Sequence, residues 1–332
     1  MRLWLHHKNI KEGRDEGTPA SHSQIKGFVD FYNINMDDFE PSDPEKYRTF
    51  EEFFVRRHKS GSRPIHAKND AKKAVVVADC RVVTYETVPL AKKLWIKGSE
   101  FSITNLVMDV DLGARFEDGS VASFILSPQD YHRYHSPVSG TIKEYRRLPG
   151  TYYQVDPVAL RSRVNILTSN ARDYVVIDSP EFGEVLFVAI GATNVGTVEY
   201  ATHPSSSLST DTHELKTNNG IRIHEKFHTP GTTIQKGDEL GLFQFGGSSI
   251  IVAFQKDRVK FDQDLLDCSS ACIQVSVEVG MSLGEATRPA TPTGQVNKSA
   301  AITRQPGAQS IEHPLGTAYD EKSFVQAVQD GQ

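Results

Sequence analysis

The stretch Gln244–Phe254 reads QFGGSSIIVAF. Ile250, Ile251, Val252, Ala253 and Phe254 are apolar and mostly β-branched or aromatic, the composition of a buried strand. The Gly-Gly-Ser-Ser run ahead of them marks a tight turn or bulge at the strand entrance. Working outward, the same texture fills residues 74–284 in short runs such as KAVVVAD, SVASFIL, GTIKEYRRL, DYVVIDS and ELGLFQF. Many short strands with regular turn punctuation predict an α+β, mostly β chain with a barrel-sandwich-like antiparallel core, rather than alternating βα units. Upstream the pattern is helical. SQIKGFVDFYNI and TFEEFFVRRH place Ile25, Phe28, Val29, Tyr32, Phe50, Phe53, Phe54 and Val55 at helical spacing. The chain therefore divides into an N-terminal helical segment (1–70), a β-rich domain (71–284) and a Pro/Thr/Gln/Ala-rich tail (285–332) expected to be disordered. Residues 204–220, PSSSLSTDTHELKTNNG, read as an exposed insertion or hairpin tip.

Composition narrows the function. The 332 residues are 38% hydrophobic and 24% charged, a globular balance with ample length for a core. With 37 basic and 42 acidic residues the net charge is −5, which argues against a nucleic-acid partner. Three cysteines, Cys80, Cys268 and Cys272, form no disulfide framework. No run of 18 apolar residues spans a membrane, and MRLWLHHKNI is too polar for a signal peptide. Membrane contact is thus expected to be peripheral, with the protein in the cytoplasm or at the surface of an endomembrane.

Three places carry residues suited to chemistry. In SPQDYHRYHSPVSG, Ser127 and Pro128 suit the start of a short helical turn, on which His132 and His135 would share a face. Two imidazoles there can serve as metal ligands or as general acid/base groups; a metal site would need a third ligand at helical spacing, and the sequence has none there. Asp79 closes the apolar run KAVVVAD, where a side chain can project into a site or form a turn. The third place is the Gly-Ser sequence of the opening stretch. A biotinyl- or lipoyl-type carrier would need a lysine at such a tip, and FGGSS has none.

Taken together, FEEFFVRRHKSGSRPI, VVVADCRV, KLWIKGSEFSI, SPQDYHRYHSPVSGTI, LPGTYYQVDPVAL, IGATNVGTVE and KGDELGLFQFGGSSIIVAF occur in the order found in phosphatidylserine decarboxylases. The chain resembles that family of pyruvoyl-dependent, self-cleaving enzymes over about residues 46–284. Its first residues look like the stretch ahead of the catalytic domain in the larger fungal-type members, without their C2 domain. The resemblance implies cleavage between Gly247 and Ser248 into a β chain (1–247) and an α chain (248–332), Ser248 becoming a pyruvoyl group. Glycine at 247 leaves room for the close approach of a hydroxyl to the backbone carbonyl. Asp79, His135 and Ser248 would form the self-cleaving triad, with His132 acting after maturation; the sequence leaves the division of roles between the histidines open. Catalysis would run through a Schiff base between the pyruvoyl ketone and the substrate amine, converting phosphatidylserine to phosphatidylethanolamine and CO₂, with no metal.

The usual family signature has an aliphatic residue before Gly-Ser and Thr or Ser after it. Here Gly246 replaces the aliphatic residue and Ser249 takes the last position. Gly-Gly-Ser variants include relatives that decarboxylate an aromatic amino acid, so a free L-amino acid is the alternative substrate. A non-catalytic barrel that binds a partner is the alternative of another class. The resemblance also implies an aminophospholipid partner at a membrane surface and a homodimer.

Overall fold

A computed structural model describes residues 15–94, 101–151, 153, 165–192, 221–244 and 248–287, with side chains omitted at 92–94 and 248. Gly246, Gly247, the insertion 204–220 and the tail beyond 287 lie outside the described residues.

The apolar runs become strands β1 (Cys80–Tyr85), β2 (Ser120–Leu126), β3 (Arg133–His135), β4 (Gly140–Leu148), β5 (Arg172–Ser179), β6 (Gly183–Ile190), β7 (Ile221–Ile223), β8 (Thr233–Ile234), β9 (Glu239–Phe243), β10 (Ser248–Phe254) and β11 (Val275–Val277). Eight of them form one antiparallel sheet in the order β8-β4-β5-β6-β10-β2-β1-β11. A smaller antiparallel sheet has the order β7-β9-β3.

The expected antiparallel, mostly β class is what forms, but among the described residues no strand pairing closes a barrel. Strands β8 and β11 are edges of the large sheet. Both faces of the sheet are packed. Ile250, Val252 and Phe254 of β10 join one core with Tyr134 of β3, Leu240 and Phe243 of β9 and Ile221 of β7. Ile251 and Ala253 point the other way, into a core with Ile103, Leu106 and Val107 of helix α3 (Ile103–Val107). A strand buried on both faces reads as a continuous apolar run rather than an alternation. That is why IIVAF carries no polar residue.

The N-terminal stripes form α1 (Ser23–Tyr32) and α2 (Phe50–Phe54). Thr49 caps α2, its Oγ1 accepting from Glu52 N at 3.1 Å. Ile25, Phe50, Phe53 and Phe54 pack with Tyr131 and Val279, so the helical segment presses directly on the stretch bearing the two histidines.

Candidate active site

Both flanks of the Gly-Gly-Ser stretch meet the segment 126–132. On one side Ser248 is the first residue of β10 and pairs with Leu126, the last of β2. On the other, Phe243 at the end of β9 donates its N–H to the carbonyl of His132 at 2.8 Å. The Ser249 hydroxyl is committed to structure, donating to the Phe124 carbonyl at 3.0 Å.

The two histidines do not share a helical face. Ser127–Asp130 forms a turn in which Asp130 Oδ2 accepts from Ser127 N at 2.6 Å, and Arg133–His135 is then a strand paired to β9. The carboxylate of Asp130 completes a single turn, and ladder bonds to β9 hold Arg133–His135 extended. Spacing of three in extended chain points side chains to opposite sides.

His132 is fully buried, with the Phe54 ring centroid 3.9 Å from its own and its Nδ1 donating to the Asp130 carbonyl at 2.8 Å. In His135, Nδ1 lies 2.9 Å from the Gly237 carbonyl and Nε2 3.0 Å from the Tyr131 hydroxyl. A carbonyl only accepts, so Nδ1 carries the proton and Nε2 presents its lone pair to Tyr131. Burial pushes the His135 pKa down, which favours this neutral, basic form, while the Gly237 carbonyl pulls the other way. Gly237 has φ +81°, and a Cβ there would lie 2.5 Å from Ile65 Cδ1. Only glycine presents that carbonyl to the imidazole without displacing Ile65.

Asp79 is brought into the same site but does not bond His135. Its carboxylate accepts from Arg63 Nη2 at 2.9 Å, Arg63 Nε at 3.1 Å and Val279 N at 2.8 Å. His58 Nε2 lies 3.0 Å from its Oδ2, an ion-pair approach not aligned as a hydrogen bond. Burial alone would raise the Asp79 pKa, yet His58 and Arg63 more than offset it and hold it down at about 2. His58 in turn stacks between Phe39, at 4.8 Å, and Tyr131, at 3.9 Å. A wall thus runs from Arg63 and Asp79 through His58 and Tyr131 to His135.

On the far side of His135, its register partner Glu239 accepts from Arg133 Nη1 at 2.6 Å and His224 Nε2 at 2.8 Å. Burial opposes its ionisation, but those partners bring its pKa to about 2. Below the stretch, Gln244 Nε2 donates to the buried Glu51 Oε1 at 3.2 Å. Burial and then the nearby Glu52 push the Glu51 carboxyl up to about 7.

Sequence reasoning missed His58, Arg63, Tyr131 and Glu51. All four stand inside the segments that carry the family resemblance, but a basic run such as RRHKSGSR reads as a solvated surface until the fold buries part of it.

A family model described as phosphatidylserine decarboxylase matches residues 50–285, which include Asp79, both histidines and the Gly-Ser pair. The chain belongs to the phosphatidylserine decarboxylase family. It is 41% identical over 288 residues to phosphatidylserine decarboxylase proenzyme 2 of rice, covering 85% of this chain and 42% of the relative. Proenzyme 3 of Schizosaccharomyces pombe is 37% identical over 86% of this chain, which spans 27% of that relative. The proenzyme of Clostridium kluyveri is 34% identical over 264 residues, 80% of this chain and 79% of the relative. The chain thus spans less than half the length of these two eukaryotic relatives and about four fifths of the bacterial one. No described helix is long and apolar enough to cross a membrane.

Proposed function

We propose that this chain is a self-cleaving carboxy-lyase that removes CO₂ from phosphatidylserine to give phosphatidylethanolamine. The reading is carried by the family match over residues 50–285. It is supported by the two flanks of the Gly-Gly-Ser stretch meeting the strand segment that holds His132 and His135. Each relative compared is named for phosphatidylserine and as a proenzyme, which does not favour a free amino acid as substrate.

Self-cleavage begins with attack of the Ser248 hydroxyl on the Gly247 carbonyl, with His135 as base. Its neutral state and fixed Nδ1–H tautomer suit it to accept a proton at Nε2. The resulting ester loses the β chain's carboxylate by β-elimination, and hydrolysis of the dehydroalanine releases ammonia, leaving a pyruvoyl group at the new N-terminus. The fit is supported by residue 248 being the first of an antiparallel strand, so the new terminus stays held by pairing to Leu126. The pyruvoyl group supplies an electron sink for loss of CO₂. His132, anchored through Nδ1 on the Asp130 carbonyl and packed on Phe54, returns a proton to the carbon that lost CO₂. Asp79 keeps its negative charge beside His58 and Tyr131, which favours a transient positive charge on His135.

Intact-mass measurement of the purified chain tests the reading. It should show two fragments divided between Gly247 and Ser248, the smaller with a blocked N-terminus. A chain that stays whole on prolonged incubation would sink it. CO₂ release from phosphatidylserine against free tryptophan and serine then decides the substrate.

A further inference from the structure

We propose that Lys236 is a positioning residue for His135, holding the Gly237 carbonyl against Nδ1 so that Nε2 stays the nitrogen able to take a proton. The proposal rests on the reading of His135 as the base of self-cleavage. It starts from a charge in an unexpected place. Lys236 is 4% exposed, and lysine is seldom so deeply buried. Its Nζ donates to the carbonyls of Ala67 at 2.7 Å, Asp70 at 2.7 Å and Lys73 at 3.1 Å. An ammonium has three N–H donors, so this cradle uses every one of them.

The cradle is itself under strain. Ala67 has φ +44°, in the left-handed region that alanine enters at a cost. A strained residue persists where its surroundings over-determine it, and here its carbonyl is one of the three that hold the ammonium. An apolar side chain would fill the same space without burying a charge. What the ammonium adds is a fixed point, tying residue 236 to the stretch 67–73 by three directional bonds.

The next residue along gives that fixed point its chemical use. Gln235–Asp238 is the turn between β8 and β9, closed by Asp238 N on the Gln235 carbonyl at 3.0 Å. Gly237 N donates to the Ser136 carbonyl at 2.8 Å, and the Gly237 carbonyl accepts from His135 Nδ1 at 2.9 Å. Glycine is the least restrained residue of such a turn, so its carbonyl keeps one direction only while the residues on both sides are held. Asp238 is held by Ser136 N, which donates to its carbonyl at 2.9 Å. Lys236 is held by its N–H on Ser139 Oγ at 3.0 Å and by its side chain in the cradle. While the Gly237 carbonyl stays, Nδ1 carries the proton and Nε2 is the acceptor. Once that carbonyl turns away, either nitrogen can carry the proton, and the base is blocked whenever Nε2 does.

The test reads the imidazole itself. In full-length Ser248→Ala chain carrying ¹⁵N-labelled histidine, long-range proton–nitrogen NMR spectra tell a protonated ring nitrogen from a bare one. His135 is assigned by the signals lost in His135→Gln. At a pH where the ring is neutral it should show Nδ1 protonated and Nε2 bare. Lys236→Met keeps the stem of the lysine and removes its donors, so the two nitrogen shifts should move toward each other as the tautomers mix. In the chain with Ser248 intact, Lys236→Met should slow cutting by about 10-fold or more, part of the about 10²–10⁴-fold that a positioned base contributes. Ring shifts unchanged by Lys236→Met overturn the proposal even where cutting slows, because a lysine needed only for stability would leave the tautomer alone. Cutting of Lys236→Met at the wild-type rate overturns it as well. If that variant misfolds by circular dichroism, Lys236→Arg takes its place: a planar guanidinium does not match three converging carbonyls, and the same shifts decide. Wild-type chain that never cuts sinks the self-cleaving reading itself, an outcome that ring shifts read in uncut chain keep separate from these.

Discussion

Strands β10 and β3 contribute to one core, through Ile250, Val252 and Phe254 and through Tyr134, and are built on opposite principles. Residues Ile250–Phe254 of β10 are each fully buried and apolar, in one core or the other. In and around β3, His132, Arg133 and Tyr131 are also buried, yet each carries a polar group. Burying such groups costs free energy unless hydrogen bonds replace the lost water. The bonds are present: His132 to Asp130, Arg133 to Val55 and Glu239, Tyr131 to His135. A fold that needed only stability would fill β3 as it fills β10. The expense of β3 is what the proposed chemistry would require there, and β10 is the fully buried strand that begins at Ser248.

The largest expected effect breaks the chemistry and spares the packing of β10. Ser248→Ala should give a chain that remains whole by intact mass, releases no CO₂ and melts like a folded protein. His132→Ala should still be cut but decarboxylate slower by about 10²–10⁴-fold, the usual contribution of a positioned acid or base. If His132→Ala blocks cutting while His135→Ala does not, the two roles are exchanged. The converse attack falls on that packing. Phe254 is fully buried against Phe182, at 5.6 Å, and Phe261, at 5.9 Å, so Phe254→Ala should cost about 3–5 kcal/mol in urea unfolding. That loss should be the same at any pH, because nothing it removes titrates.

How much of the molecule could be read from sequence tracks the same divide. Strand β10 was legible because hydrophobic runs bounded by glycine and serine report local burial without reference to distant residues. Helices α1 and α2 were legible by their stripes. The antiparallel, mostly β class was legible too, whereas the order of strands in the sheet was not, since that depends on pairings between residues far apart in sequence. The helical turn expected around His132 and His135 failed because the Asp130 side chain ends that turn and β9, about 100 residues further on, pulls the chain straight. Asp79, His132 and His135 were singled out, but the direct Asp79–His135 pair was not what formed. Arg63 and His58 claim the carboxylate, and only the folded chain reveals that competition.

A titration separates the two regions further. Glu51 is buried with its pKa raised from 4.5 to about 7. Between those values the unfolded chain gives up a proton that the folded chain keeps, so stability falls as pH rises through the window and levels off above it. The whole change is about 3 kcal/mol. Glu51→Gln keeps a neutral partner for Gln244 and does not titrate. Its stability relative to wild type should therefore climb from about pH 4.5 to about pH 7, measured by urea midpoints. A flat difference would mean that Glu51 is solvated in the folded chain.

Asp79 gives the smaller effect, with the opposite sign. Its pKa is lowered from 3.8 to about 2, so the folded chain holds the carboxylate ionised where the unfolded chain has begun to protonate. The stabilisation is fully present above the unfolded value and is lost as pH falls through the folded one, amounting to about 2 kcal/mol. Asp79→Asn should remove it, and the gap between wild type and variant should narrow by that amount between about pH 4 and about pH 2. Phe254→Ala over the same range should show no narrowing. His58→Phe discriminates within the wall itself. It keeps a ring for Tyr131 to pack on and removes the imidazole from Asp79, so the acid-dependent part should shrink while Arg63 sustains the rest. If His58→Phe leaves the acid dependence unchanged, Arg63 alone holds the charge, and His58 serves the site only as a surface on which Tyr131 is stacked.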